Sequence, residues 1–143
     1  MGYSLIPKKK IETIDIGAFS WPMHLEETGA GYVLGYGSGR TPGSYVYSDG
    51  NKGSPVSNDG YVVSASEAKA MAMCMRGYIS VAKFVNKKWE EDFPDEAERE
   101  KMQEFINPAT GTKLYKTMMG PKRLVELEKI VDFIERSGGF KIT

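Results

Sequence analysis

Side chains able to do chemistry are few in this 143-residue chain, and they are scattered. His24 is its one histidine. In "WPMHLEE" it precedes Glu26 and Glu27, so a carboxylate could orient its imidazole for proton transfer. The alternative, and the favoured reading, is a surface or half-buried helix histidine without that task. Cys74 is the one cysteine. A nucleophilic thiolate needs an accessible, electropositive setting beside a base. In "MAMCMRG" the neighbours are Met71, Met73 and Met75, so Cys74 reads as core and the methionines as adaptable core filler, a composition that would also suit an interaction groove. One histidine and one cysteine cannot assemble a metal site of the usual nitrogen and sulfur ligands. Eight carboxylates lie between Glu90 and Glu104, against Arg99 and Lys101. They lack the Asp/Asn spacing and central glycine of a calcium loop and read as a solvated helix face. No metal or cofactor is expected, and an enzyme is the least favoured class.

The stretch "GYVLGYGSGRTPGSYVYSDGNKGS" offers more. Nine of the sixteen glycines lie between Gly29 and Gly60, and five of the eight tyrosines lie between Gly29 and Tyr61. "GYGSGRTPG" has neither the Lys-Ser/Thr of a Walker loop nor the setting of a dinucleotide fingerprint. Successive backbone N–H groups of a Gly-rich turn can still form a nest for an anion. The candidate site is Tyr36, Gly37, Ser38, Gly39, Arg40 and Thr41, with Tyr45, Tyr47 and Lys52. Arg40 and Lys52 would supply charge, Ser38 and Thr41 hydroxyls. Alternate strand residues share a face, so Tyr45 and Tyr47 point together and could stack on a base or sugar. The other reading is a tyrosine-rich meander whose turns need glycine for positive φ.

The elements that must position these groups follow from patterning. "YSLIP" and "IETIDIG" read as short strands, with Lys8, Lys9 and Lys10 as a solvated turn between them. "SWPMHLEETGAG" reads as a brief helix with Ser20 as N-cap and Gly29 as its stop. "YVLGY", "SYVYS" and "GYVVS" read as strands of an antiparallel meander. Ser64 and Glu67 form a capping box ahead of a long helix. Its stripe is Ala68, Met71, Met75, Tyr78, Ala82, Val85 and Trp89, which Cys74, Ile79, Val81 and Phe84 widen, as in a helix buried on more than one side. Gly77 interrupts it at a cost of about 1 kcal/mol relative to alanine. Lys83, Lys87 and Lys88 fall on its outer side. A helix restarting at Pro94 ends at Asn107-Pro108. Pro121 opens a further helix with Leu124, Leu127, Val131 and Ile134; Gly138 and Gly139 close it, and "FKIT" returns as a strand. The expected fold is α+β, one domain over residues 1–143: a small antiparallel sheet packed on a long central helix and a C-terminal helix.

Nineteen basic residues balance nineteen acidic ones, which removes the bulk electrostatic case for nucleic acid. No apolar run is long enough to span a bilayer, so no membrane association is expected. The N-terminal stretch lacks the order of a signal peptide, and a lone cysteine suits a reducing compartment, so a cytoplasmic location is expected.

The pattern "GYVVSASEAKAMA…RGYISVAKFVNKKWE", closing with "FIERSGGFKIT", resembles small uncharacterised proteins of bacteria and their phages over residues 60–143. The resemblance names no family and carries over no activity or site residue. It implies a small inhibitor or sequestering protein, which needs a surface rather than catalytic apparatus. Two partner classes follow: a small anionic, nucleotide-like ligand held by the Tyr/Gly-rich segment, or a protein partner met through the same tyrosines or the acidic helix at 90–104. A homodimer is a further expectation, since the apolar stripes exceed what one small domain covers.

Overall fold

Alternation on four short strands builds the sheet. In β1 (Gly2–Pro7) Tyr3 and Leu5 are buried while Ile6 is exposed; β2 (Ile14–Gly17) buries Ile16. In β3 (Tyr61–Val63) and β4 (Phe140–Ile142) the outer residues of each triplet are buried and the middle one, Val62 or Lys141, is exposed. All pairings are antiparallel and the strand order is β2-β1-β4-β3. One row, Ile14–Leu5–Ile142–Tyr61, therefore crosses the whole sheet. A period of two puts that row on the side facing the helices. The computed structural model describes residues 2–36, 54–99 and 118–143.

Three helices cover the buried face. α1 (Ser20–Thr28) brings in Trp21, α2 (Ala65–Asp92) is 28 residues long, and α3 (Pro121–Ser137) carries Leu124, Leu127, Ile130, Val131, Phe133 and Ile134 inward. Phe140 of β4 sits between Trp21 and Phe133, edge-on to both, at ring-centroid distances of 6.2 and 6.0 Å. Such T-shaped contacts set the electropositive edge of one ring against the face of another. The indole N–H of Trp21 donates to the Pro55 carbonyl (2.9 Å), and the Tyr3 hydroxyl donates to that of Val56 (2.7 Å). These bonds hold the segment before β3 against the sheet and α1.

Caps fix the helix ends. The Ser64 hydroxyl accepts from the Glu67 N–H (3.2 Å), and the Glu67 carboxylate accepts from the Ser64 N–H (2.9 Å), completing the capping box of α2. At the end of α3, Gly138 and Gly139 take positive φ, and an alanine Cβ at Gly139 would stand 2.8 Å from the Val63 carbonyl oxygen. Only glycine lets β4 leave the helix so close to β3. The N–H groups of Lys8 and Lys9 donate to the carbonyls of Gly139 and Ser137 (2.9 and 3.0 Å), so the lysine turn also closes the C-terminus of α3.

An antiparallel sheet, a long central helix and a C-terminal helix make the architecture α+β. Three details differ from the sequence reading. "YVL" is not a strand: Ala30–Leu34 form a 3₁₀ helix between Gly29 and Gly35, both left-handed. α1 begins at Ser20 itself, with Phe19 at the N-cap and no side-chain cap bond. Cys74, Val81 and Phe84 are exposed rather than core, while Ile79 is buried. The strand expected at "SYVYS" lies outside the described residues.

Candidate functional site

Of the anion-site candidates, Tyr36 alone is among the described residues. It is half-buried against the core, and its backbone N–H donates to Gly31 O at 2.7 Å. Gly37, Ser38, Gly39, Arg40, Thr41, Tyr45, Tyr47 and Lys52 lie outside them, as does the acidic tract beyond residue 99.

Where chemistry was sought at His24, the structure builds an internal clamp. His24 is fully buried, not superficial, because the α1 face that carries Trp21 and Leu25 carries it too. Its Nε2 lies 3.1 Å from Glu126 Oε1 on α3. Burial pulls the imidazole pKa below its ordinary value; the Glu126 hydrogen bond and charge pull it up, Arg123 down and Glu27 up, and the net direction is down. The neutral ring therefore donates from Nε2 to the carboxylate. Nδ1 is buried with no hydrogen-bond partner among the described residues. One turn further along α1, the Tyr78 hydroxyl donates to Glu27 Oε2 (2.8 Å) and accepts the Met119 N–H (2.9 Å). Burial pushes that phenol up to about 12; the Met119 bond opposes the shift and Glu27 adds to it. Asn86 of α2 donates to the Met119 carbonyl at 3.0 Å. These groups tie α1, α2 and α3 together around Met119. Among the described residues no three of His, Cys, Asp and Glu gather where they could hold a metal ion.

The helix pair α2 and α3 runs antiparallel, laced at its rim by Arg76–Glu135 (2.6 Å) and Lys83–Glu128 (2.5 Å). The cations are seven residues apart on one helix and the carboxylates seven apart on the other, which keeps both pairs on one side of the seam. The Arg76 bond holds the Glu135 carboxyl below its ordinary range. Both pairs are well exposed to solvent, so they fix register more than they add stability.

The distinctive surface lies on the far side of α2. Ala68, Met71, Ala72, Met75, Ile79, Ala82 and Asn86 face inward. Roughly opposite, at spacings of three and four, stand Met73 (71 % exposed), Gly77, Val81 (53 %) and Phe84 (70 %), with Cys74 beside them. A helix that buries one stripe on its own core ordinarily shows polar residues on the other; α2 shows Met73, Val81 and Phe84 there, interleaved with the exposed Ser80 and Lys88. Among the described residues a Cβ at Gly77 would meet nothing within 4 Å, so the ridge has a notch between Met73 and Val81. Charges of both signs border the face: Lys69 at one end, and Lys87 and Lys88 with the exposed Glu90, Glu91 and Asp92 at the other, none of them in an ion pair among the described residues. Shallow concavities adjoin both ends, one of about 280 Å³ lined by Phe84, Lys87, Lys88 and Glu91, the other of about 420 Å³ between α2 and α3 beside Met73 and Lys69. Sequence reasoning assigned these apolar residues to the core. The signal against that was their position opposite a stripe already sufficient to anchor the helix.

No helix among the described residues is long and apolar enough to cross a membrane. No family model matches the chain, and no curated protein or solved structure matches it either.

Proposed function

We propose that this chain is a protein-binding module and that the outward face of α2 is its binding surface. The observation that supports this reading is the exposed line Met73–Val81–Phe84 on a helix already anchored through its opposite face. Apolar residues scattered singly on a surface need no explanation, but three large ones aligned along one face of a single helix have the composition of an interface core. The groups with chemical potential, His24, Tyr78 and Glu126, serve interhelical contacts, which favours binding over turnover.

The test is site-specific photo-crosslinking in cells. A benzophenone amino acid at position 84 should give discrete protein adducts that Met73→Glu abolishes, while the same probe at Lys141, on the exposed side of the sheet, gives none. Equal labelling at both positions, or none at 84, would sink the proposal. The small-anion reading of Tyr36 to Lys52 rests on the sequence, and native mass spectrometry of gently purified protein tests it by looking for a retained small mass.

A further inference from the structure

We propose that α1 is an acid-opened latch: when His24 takes up a second proton, the helix lifts off α3 and the sheet as one unit, while the strands and the α2–α3 pair stay in place. The neutral ring spends its one N–H on Glu126, and Nδ1 has no partner among the described residues. A second proton makes Nδ1 a buried donor with nothing to receive it, which is costly. Glu126 is half-exposed, so water that reaches its carboxylate still does not reach Nδ1. The charges facing the ring do not relieve this. Glu126 and, on the same helix, Glu27 favour the imidazolium, while Arg123 opposes it. α2 presents the Tyr78 phenol, already donated to Glu27; β2 and the 3₁₀ segment bury only apolar residues and a glycine.

Moving α1 is the release that disturbs least else. It lies outside the ladder of the sheet, has no side-chain cap at Phe19, and ends at left-handed Gly29, beyond which the 3₁₀ segment packs on α2. Nine residues are too few to persist as a helix alone, so its order comes from seating Trp21, His24 and Leu25. The Trp21–Pro55 and Tyr78–Glu27 bonds break as it leaves, and each group can then bond to water. The strand pairings and the Arg76–Glu135 and Lys83–Glu128 bridges involve no residue of α1. Once open, His24 has the ordinary value near 6.5; closed, it lies lower. The open form therefore gains as pH falls through 6.5, and the gain ends at the closed-state value.

Native-state hydrogen exchange of the full chain, followed at several urea concentrations and corrected for the intrinsic effect of pH, tests this. Amides of α1 should exchange through an opening about tenfold or more as frequent as that of α3 amides, with a shallow urea dependence because little surface is exposed. Between pH 7.5 and 5.5 their protection should fall by roughly three- to tenfold, the range set by an open-state value near 6.5 and a lower closed one. His24→Gln has no charge to gain and should remove that fall. Glu126→Gln keeps an acceptor for Nε2 but removes the charge that favours the imidazolium in place, so the fall should continue to lower pH than in the unaltered chain. That variant decides the matter if His24→Gln does not fold, and a response ending at the same pH as before then overturns the proposal. One shared protection and urea slope for α1 and α3 amides means that acid loosens the whole fold, and the latch is refuted. An acid response that survives His24→Gln, or none in the unaltered chain, refutes it as well.

Discussion

Replacing Gly77 by alanine asks whether the outer face of α2 is free in the isolated protein. The residue lies in the interior of a 28-residue helix, outside the positive-φ glycines, and an added methyl would touch nothing within 4 Å among the described residues. Two effects then act in one direction. Glycine is the least favourable helix residue after proline, and its removal also narrows the unfolded ensemble. Together they are worth about 1 kcal/mol relative to alanine, or roughly a fivefold change in the folded-to-unfolded ratio. For a chain of this size that raises Tm by about 3 °C. The assay is urea and thermal unfolding followed by circular dichroism at low protein concentration, with the urea slope unchanged as the sign that only stability moved. A loss of stability would refute the reasoning, since it would mean that the methyl collides with something packed on this face. An unchanged midpoint would refute it too, because among the described residues no contact opposes the methyl and cancels the gain.

Acidification should weaken the fold through His24. Its pKa is lowered in the native state, so below about pH 6.5, the ordinary value, the unfolded chain binds the proton that the buried ring refuses. The urea midpoint should therefore fall as pH drops from 6.5 towards the native-state value, and His24→Gln should flatten that window, since no second histidine contributes. Ser64→Ala removes the acceptor for the Glu67 N–H and should cost about 1 kcal/mol, read as a lower urea midpoint. Gly139→Ala forces a Cβ against the Val63 carbonyl at a φ of 102° and should cost roughly 1–3 kcal/mol by the same assay.

Much of the frame was legible because local signals and tertiary needs coincide. The Ser64–Glu67 box, Pro121 at the first turn of α3, and the Gly138–Gly139 exit into β4 each encode a backbone event within a few residues, and each occurs. "YVL" misled because its aromatic and β-branched residues have strand propensity, whereas the left-handed glycines on both sides confine it to a single 3₁₀ segment. His24 misled because imidazole is a usual surface group; it is buried with Trp21 and Leu25, and its partner Glu126 lies 102 residues away, which no local pattern reveals. On α2 the difficulty was one of sides. Helical periodicity reports that two opposite stripes are apolar, but which one meets α3 depends on long-range packing, and the Arg76–Glu135 and Lys83–Glu128 pairs show which it is. The anion-site candidates from Gly37 to Lys52 lie outside the described residues, so the sequence remains their only support.

The strand order β2-β1-β4-β3 also sets a timetable. β1 and β2 are joined by a short turn and can zip together as soon as both have been synthesised. The other side of β1 must wait for β4: Leu5 pairs with Ile142, and Ser4 and Thr143 exchange backbone hydrogen bonds at 2.8 and 2.9 Å. During synthesis, then, a hydrophobic hairpin stands with an unpaired inner edge until almost all of the intervening chain has emerged, the circumstance in which strands find wrong partners. Closing so long a loop adds little to the equilibrium cost, since that cost grows only with the logarithm of loop length, but contacts this distant in sequence slow the search. A circular permutant in which a short linker carries Thr143 into Gly2 would turn the most distant pairing of the sheet into a local hairpin. It should fold faster with nearly the same final stability.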